Sequence, residues 1–245
     1  MDATHFIRDA VAQVALLRQG AANSPELARA LGDIKRFQAR RFAGTYGDLL
    51  DSKHYRAAVL FFLRELYGEK DYAERDAQFG RIAGALDRLF PEQVVATAVA
   101  LAQLHRLSEE LDLAMAQSWV AQAERPEVQR YVAAWQAVGR RLDRNTQLAG
   151  VLEVGQDLDR LTRMPGLRLM LKMMRKPAQL AAMGSLQQFL ESGFDTFAAM
   201  RRSGDGARHF LDTIRARESG LMDLLFDENP VACETEIGRV LGQAR

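Results

Sequence analysis

Apolar residues recur at helical spacing along nearly the whole chain. Phe6, Ile7, Ala10, Val11, Val14 and Leu17 line one side of a helix predicted over residues 2–19, with Gly20 at its end. Ser24, Pro25 and Glu26 then form a strong start signal: a hydroxyl cap, a proline at the first helical position and an acid in the first turn. Leu27, Leu31, Ile34 and Phe37 give that second helix its inner face, and Gly44 or Gly47 are its expected breaks.

The densest aromatic run follows, between Ser52 and Phe90. Tyr55, Val59, Phe62, Leu63 and Leu66 share one helical face, with Ser52 as the expected cap and Gly68 as the stop. Asp71 and Glu74 fit a capping box in carboxylate form, and Phe79, Ile82, Ala83, Leu86 and Phe90 form the next apolar face. The segment reads as an antiparallel helical hairpin.

From Pro91 to Arg125 the chain has no glycine or internal proline, so one helix of about 50 Å is predicted there. Val94, Ala98, Leu101, Leu104, Leu111, Met115 and Trp119 make it the expected centre of the fold. Helices are also predicted from Pro126, across residues 140–164 with fraying at Gly150 and Gly155, between Pro165 and Pro177, after Pro177, from about His209, and from Pro230. SGDGA is the clearest loop. No stretch alternates with a period of two over a strand's length. The expectation is an all-α protein, a single compact bundle of roughly eight to ten helices. It should span 1–245 as one domain, with 1–50 as its looser part.

Composition leaves that picture intact. The chain has 245 residues, 48% hydrophobic and 27% charged, with a formal net charge of +1. A core of that size can be buried, and no global field argues for nucleic acid. Cys233 is the single cysteine, so no internal disulfide can form, and a reducing compartment suits it. No basic leader with an apolar core is seen, and no apolar run reaches the roughly 20 residues of a membrane span. A cytoplasmic protein without a transmembrane segment is expected.

Three strings carry a resemblance: FFLRELYG followed by DYAERDAQFGRI, then LSEELDLAMA, then KPAQLAAMGSLQQFLESGFDTFAAM. They resemble a family of uncharacterised bacterial all-helical proteins with the pattern FFL-x-x-LYG, D-[FY]-x-x-RD and a later Leu-Asp. The likeness runs from about Arg40 to Glu218. It implies a compact helical fold and a bacterial source, and supplies no activity or catalytic residue.

Candidate chemistry is sparse. None of the four histidines stands at metal-ligand spacing from another, and no Glu-x-x-His or cysteine pair occurs, so no metal site is predicted. No cofactor is predicted either; haem held by His105 is the alternative the histidines leave, although a lone helical histidine is more often structural. Nucleophile elbows and phosphate loops are absent.

Asp76 with Arg75, and with Arg56 and Arg64 one helix away, can form a buried polar cluster. Such a cluster is more often an inter-helix staple, since buried charges must be paired. As a ligand site it would comprise His54, Arg56, Tyr67, Arg75 and Asp76 and suit a small anionic or aromatic molecule.

A second surface lies between Arg160 and Leu190, where six Lys or Arg occur and no Asp or Glu. Arg168, Lys172, Arg175 and Lys176 are expected on one helical face, and Leu167, Met170, Leu171 and Met174 on another. The sequence is therefore read as a module binding a protein partner, a second copy as a homodimer, or a small ligand. An enzyme with its site in the hairpin and a membrane-surface protein using residues 160–176 are the alternatives.

Overall fold

The computed structural model describes residues 2–65, 72–201 and 206–244. Among them lie thirteen helices and no strand. These are α1 (Ala3–Ala22), α2 (Pro25–Thr45), α3 (Gly47–Asp51), α4 (Arg56–Glu65), α5 (Ala73–Leu89), α6 (Glu92–Ala121) and α7 (Glu127–Val138). The rest are α8 (Arg141–Leu161), α9 (Leu167–Met173), α10 (Arg175–Leu180), α11 (Gly184–Arg201), α12 (Gly206–Asp227) and α13 (Pro230–Gly242).

The all-α class is as expected, and the helices outnumber the expectation because short pieces stand alone. Tyr46 breaks the chain between α2 and α3. The basic segment divides at Met174, since Pro177 has no N–H to donate to the carbonyl of Met173. Pro177 thus sits third in α10 instead of opening a new helix.

Local capping follows the side chains. Ser24 Oγ accepts from the Leu27 N–H at 3.3 Å, and Asn229 Oδ1 from the Ala232 N–H at 3.1 Å. Ser52 does not cap α4; its hydroxyl accepts from the His54 N–H in a local turn, and α4 begins at Arg56. Leu66, Gly68 and Asp71, and Ser203, Gly204 and Asp205 of the predicted loop, lie outside the described residues. Gly150 and Gly155 lie within α8 without fraying it. A Cβ on Gly155 would stand 2.5 Å from the Leu211 side chain of α12, so this glycine lets the two helices approach, whereas one on Gly150 would meet Leu104 of α6 in ordinary contact.

The 30-residue α6 is the hub, packed against α1, α2, α5, α7 and α8. It buries Val95, Ala102, Leu104, Leu111, Met115 and Trp119, which point to different sides, as a helix enclosed by neighbours requires. One core gathers α2, α6, α7, α12 and α13 around Phe37, whose ring stacks on Tyr131 at 4.1 Å between centroids, with Trp119 and Trp135 beside them. A second joins α2, α4, α8, α11 and α12 through Phe42, Phe62, Phe197 and Phe210. A third seals α1 to α5 and α6 through Ile7, Ala10 and Ala83. No helix of the described residues is long and apolar enough to cross a membrane.

Candidate functional site

Asp76 lies in the first turn of α5 on the side facing α1 and α6, and is 6% exposed. A carboxylate so placed needs partners, and they come from distant segments. Its Oδ2 accepts from Arg18 Nη1 of α1 at 2.8 Å and from His105 Nε2 of α6 at 2.8 Å. Arg18 Nη2 donates in turn to Glu109 Oε1 at 2.8 Å, and Lys35 Nζ of α2 donates to the same oxygen at 2.9 Å. His105 and Glu109 are four residues apart and share one face of α6. One ionic network therefore pins α1, α2, α5 and α6.

Its electrostatics are self-contained. Burial alone would raise the Asp76 carboxyl. The His105 hydrogen bond and the charges of His105, Arg18 and Arg75 outweigh it and hold the group below the usual carboxylate range. Burial likewise acts to raise Glu109, and the hydrogen bonds and charges of Arg18 and Lys35 hold it low. The carboxylates lie inside, and Arg18, Lys35 and His105 reach toward solvent. This is the arrangement of an inter-helix staple.

Arg75 turns the other way. Its guanidinium sits 4.1 Å from the Tyr72 ring centroid and 4.5 Å from that of Phe189, and Nη1 donates to the Glu65 carbonyl at 3.1 Å. Its contact with Asp76 is a looser 3.9 Å. Arg56 is exposed and donates to the Leu50 carbonyl, and His54 is exposed beside Tyr55. Arg56 opens α4 and Glu65 ends it, so about 13 Å of helix separates Arg56 from the place where Arg75 docks. Of the five hairpin candidates, Arg75 and Asp76 are chain neighbours whose side chains turn to different partners, and the structure gathers neither His54 nor Arg56 to them. Tyr67 lies outside the described residues. His105, outside that set of five, joins Asp76 through Nε2.

Sequence reasoning missed Arg18, Lys35 and Glu109. The available signal was Glu109 four residues after His105 inside an apolar-flanked helix, which marks one polar stripe facing neighbours.

The basic segment forms the second site. Leu167 and Leu171 are buried against Leu161 and Phe194, with Met164 and Met170 packed alongside. Arg168 pairs with Asp195 at 2.8 Å, and Arg175 forks onto Glu191, with Nε at 2.7 and 2.8 Å from its two oxygens. The expected row of four free cations is thus reduced to Lys172 and Lys176, which are exposed and without a carboxylate partner among the described residues.

A further apolar set was not foreseen. Leu169, Met173 and Leu180 are 63%, 69% and 90% exposed. Met174, between the two helices, keeps right-handed helical angles (φ −72°, ψ −10°), so helical spacing carries through. Leu169, Lys172, Met173, Lys176 and Leu180 then fall at i, i+3, i+4, i+7 and i+11, on one outward face. Beside it a groove of about 640 Å³ is lined by Glu74, Arg175, Gln179, Ser185, Glu191 and Asp195.

Another groove, of about 920 Å³, lies where α2 and α3 meet α12 and α13. Its arginines are already matched: Arg217 forks onto Asp48 and Arg239 onto Glu236. Among the described residues no three His, Cys, Asp or Glu side chains converge to hold a metal ion.

Residues 17–232 match the family model described as Domain of unknown function (DUF8198). The chain belongs to that family. The DUF8198 match takes in every member of the ionic network, from Arg18 to Glu109, and the whole of α9 and α10. No curated protein and no solved structure matches the chain.

Proposed function

We propose that this DUF8198 protein is a binding module that docks through the outward face of α9 and α10. The observation that carries the reading is the row of Leu169, Met173 and Leu180, exposed on one face while Leu167 and Leu171 of the same segment are buried. Covering one exposed Leu or Met side chain is worth about 1.5–3 kcal/mol when it leaves water completely. A row of large apolar side chains left uncovered on one helical face is what a contact surface presents. The ionic network supports the same division of labour: it closes on itself as a staple, and the polar chemistry of the hairpin is spent on holding helices.

The test is fractionation of native host extract with wild type and the triple variant Leu169→Ser/Met173→Ser/Leu180→Ser. Wild type is expected to run in a larger or sedimenting assembly, and the variant as a monomer of 27.4 kDa. Circular dichroism should show the variant still helical. Identical migration of the two proteins overturns the reading.

A further inference from the structure

We infer that the occupant of this face is the interfacial region of an anionic membrane, an inference that rests on the docking reading above. Two observations favour lipid over protein.

The first is the chemistry of the row. Lys172 and Lys176 alternate with Leu169, Met173 and Leu180 on a single face; neither lysine forms an ion pair among the described residues, and Lys172 shares only the field of Glu191, which is already forked by Arg175. Arg168 and Arg175 are tied to Asp195 and Glu191 on α11, which leaves the two lysines as the free charge of the face. Lysine stems lie along apolar surface while their ammonium groups rise to the phosphates, so such a row suits the boundary between acyl chains and headgroups.

The second is size. The tandem helices span fourteen residues, about 20 Å, and carry three large exposed apolar side chains. A stable protein–protein interface takes about 20–30 residues and 800 Å² from each partner. A lipid surface needs no shape complementarity, so a narrow ridge is enough.

Sedimentation with phosphatidylcholine vesicles, with and without phosphatidylglycerol, tests the inference. Wild type is expected to bind the anionic vesicles and to release as salt rises. Lys172→Gln/Lys176→Gln should weaken that binding about 30-fold, since each lysine near an anionic surface contributes close to a factor of five. The triple serine variant should weaken it about 1,000-fold or more. Removing equal charge elsewhere, with Arg29→Gln/Lys53→Gln, should leave binding unchanged.

The inference is overturned if wild type stays in the supernatant with anionic vesicles, or if the two charge variants behave alike. Should vesicles fail while extract fractionation still separates wild type from the triple serine variant, the occupant is a protein or a second copy and the docking reading stands. Failure of both measurements removes both.

Discussion

Glu109 and Asp112 stand one turn apart on α6, both within the field of Lys35, and their carboxyls are held on opposite sides of the ordinary range. Burial acts to raise both. At Glu109 the hydrogen bonds and charges of Arg18 and Lys35 win. At Asp112 burial prevails, the charge of Glu109 adds to it, and Lys35, Arg144 and a hydrogen bond from Gln38 offset only part. The difference is one of direct contact: Lys35 touches Glu109 at 2.9 Å, and Arg18 touches it at 2.8 Å.

The network therefore makes folding acid-sensitive with a definite sign. Asp76 and Glu109 have folded values below their unfolded ones, so their contribution is complete above about pH 4.5 and is lost as pH falls through the lowered folded values. Urea unfolding between pH 7 and pH 2.5 should show stability dropping on that acid limb. Glu109→Gln should cost about 2–4 kcal/mol at pH 7, because Arg18 and Lys35 lose the negative charge that offsets theirs, and should flatten the limb. An unchanged limb in the variant would remove Glu109 from the account.

Asp112 carries the opposite sign. A carboxyl whose folded value is raised binds its proton more tightly in the native state. Its contribution is favourable at low pH and is lost as pH rises through the raised value. Asp112→Asn removes that charge while keeping a partner for Gln38. The variant should melt about 2–4 °C above wild type at neutral pH, the equivalent of about 1 kcal/mol for a chain of this size, and the gain should shrink in acid. A lower melting temperature at pH 7 would mean that Asp112 is paired and charged.

Arg18 links the two buried acids, so its effects should not add. A double-mutant cycle of Arg18→Gln and Asp76→Asn, read by urea unfolding at pH 7, should give a coupling of about 1–3 kcal/mol. His105→Asn should be milder, about 1 kcal/mol, since it removes one hydrogen bond and leaves Arg18 on Asp76. Additivity within error would show that the Arg18–Asp76 contact contributes nothing.

These residues also show what the sequence could say. Asp76 was legible as a buried polar group, because it sits among apolar neighbours on a helix that needs an inner face. Its partners were not. Arg56 and Arg64 were expected because they are near in the chain, and the partners are Arg18, 58 positions upstream, and His105, 29 downstream. Helical periodicity fixes which face of α5 is inside and is silent on which helix it meets. The same limit applies at α9 and α10, which are apolar on two sides. Leu167 and Leu171 turn inward and Leu169, Met173 and Leu180 outward, and spacing alone does not tell the covered side from the open one. Proline was the most informative residue: Pro25 and Pro230 open helices, and Pro91 and Pro126 immediately precede them.

Gly44 was expected as a break, and it lies inside α2 for a different reason. A Cβ at this position would stand 2.0 Å from the Val240 carbonyl oxygen and 2.9 Å from its carbon, both of them backbone atoms of α13. A side chain can rotate away from an intruding methyl group, whereas a helix backbone has to translate as a unit. Translation of α13 would pull Ile237 and Cys233 out of the core they share with Phe37 and Trp135. Gly44→Ala should therefore destabilise the protein by about 3 kcal/mol, the upper end of overpacking costs. Gly20, in the last turn of α1, is the matched control: nothing lies within 4 Å of its added Cβ. Gly20→Ala should stabilise by up to about 1 kcal/mol through helix propensity. Thermal unfolding of the pair should give shifts of opposite sign. Equal shifts would mean that α13 does not approach α2 as closely as Gly44 allows.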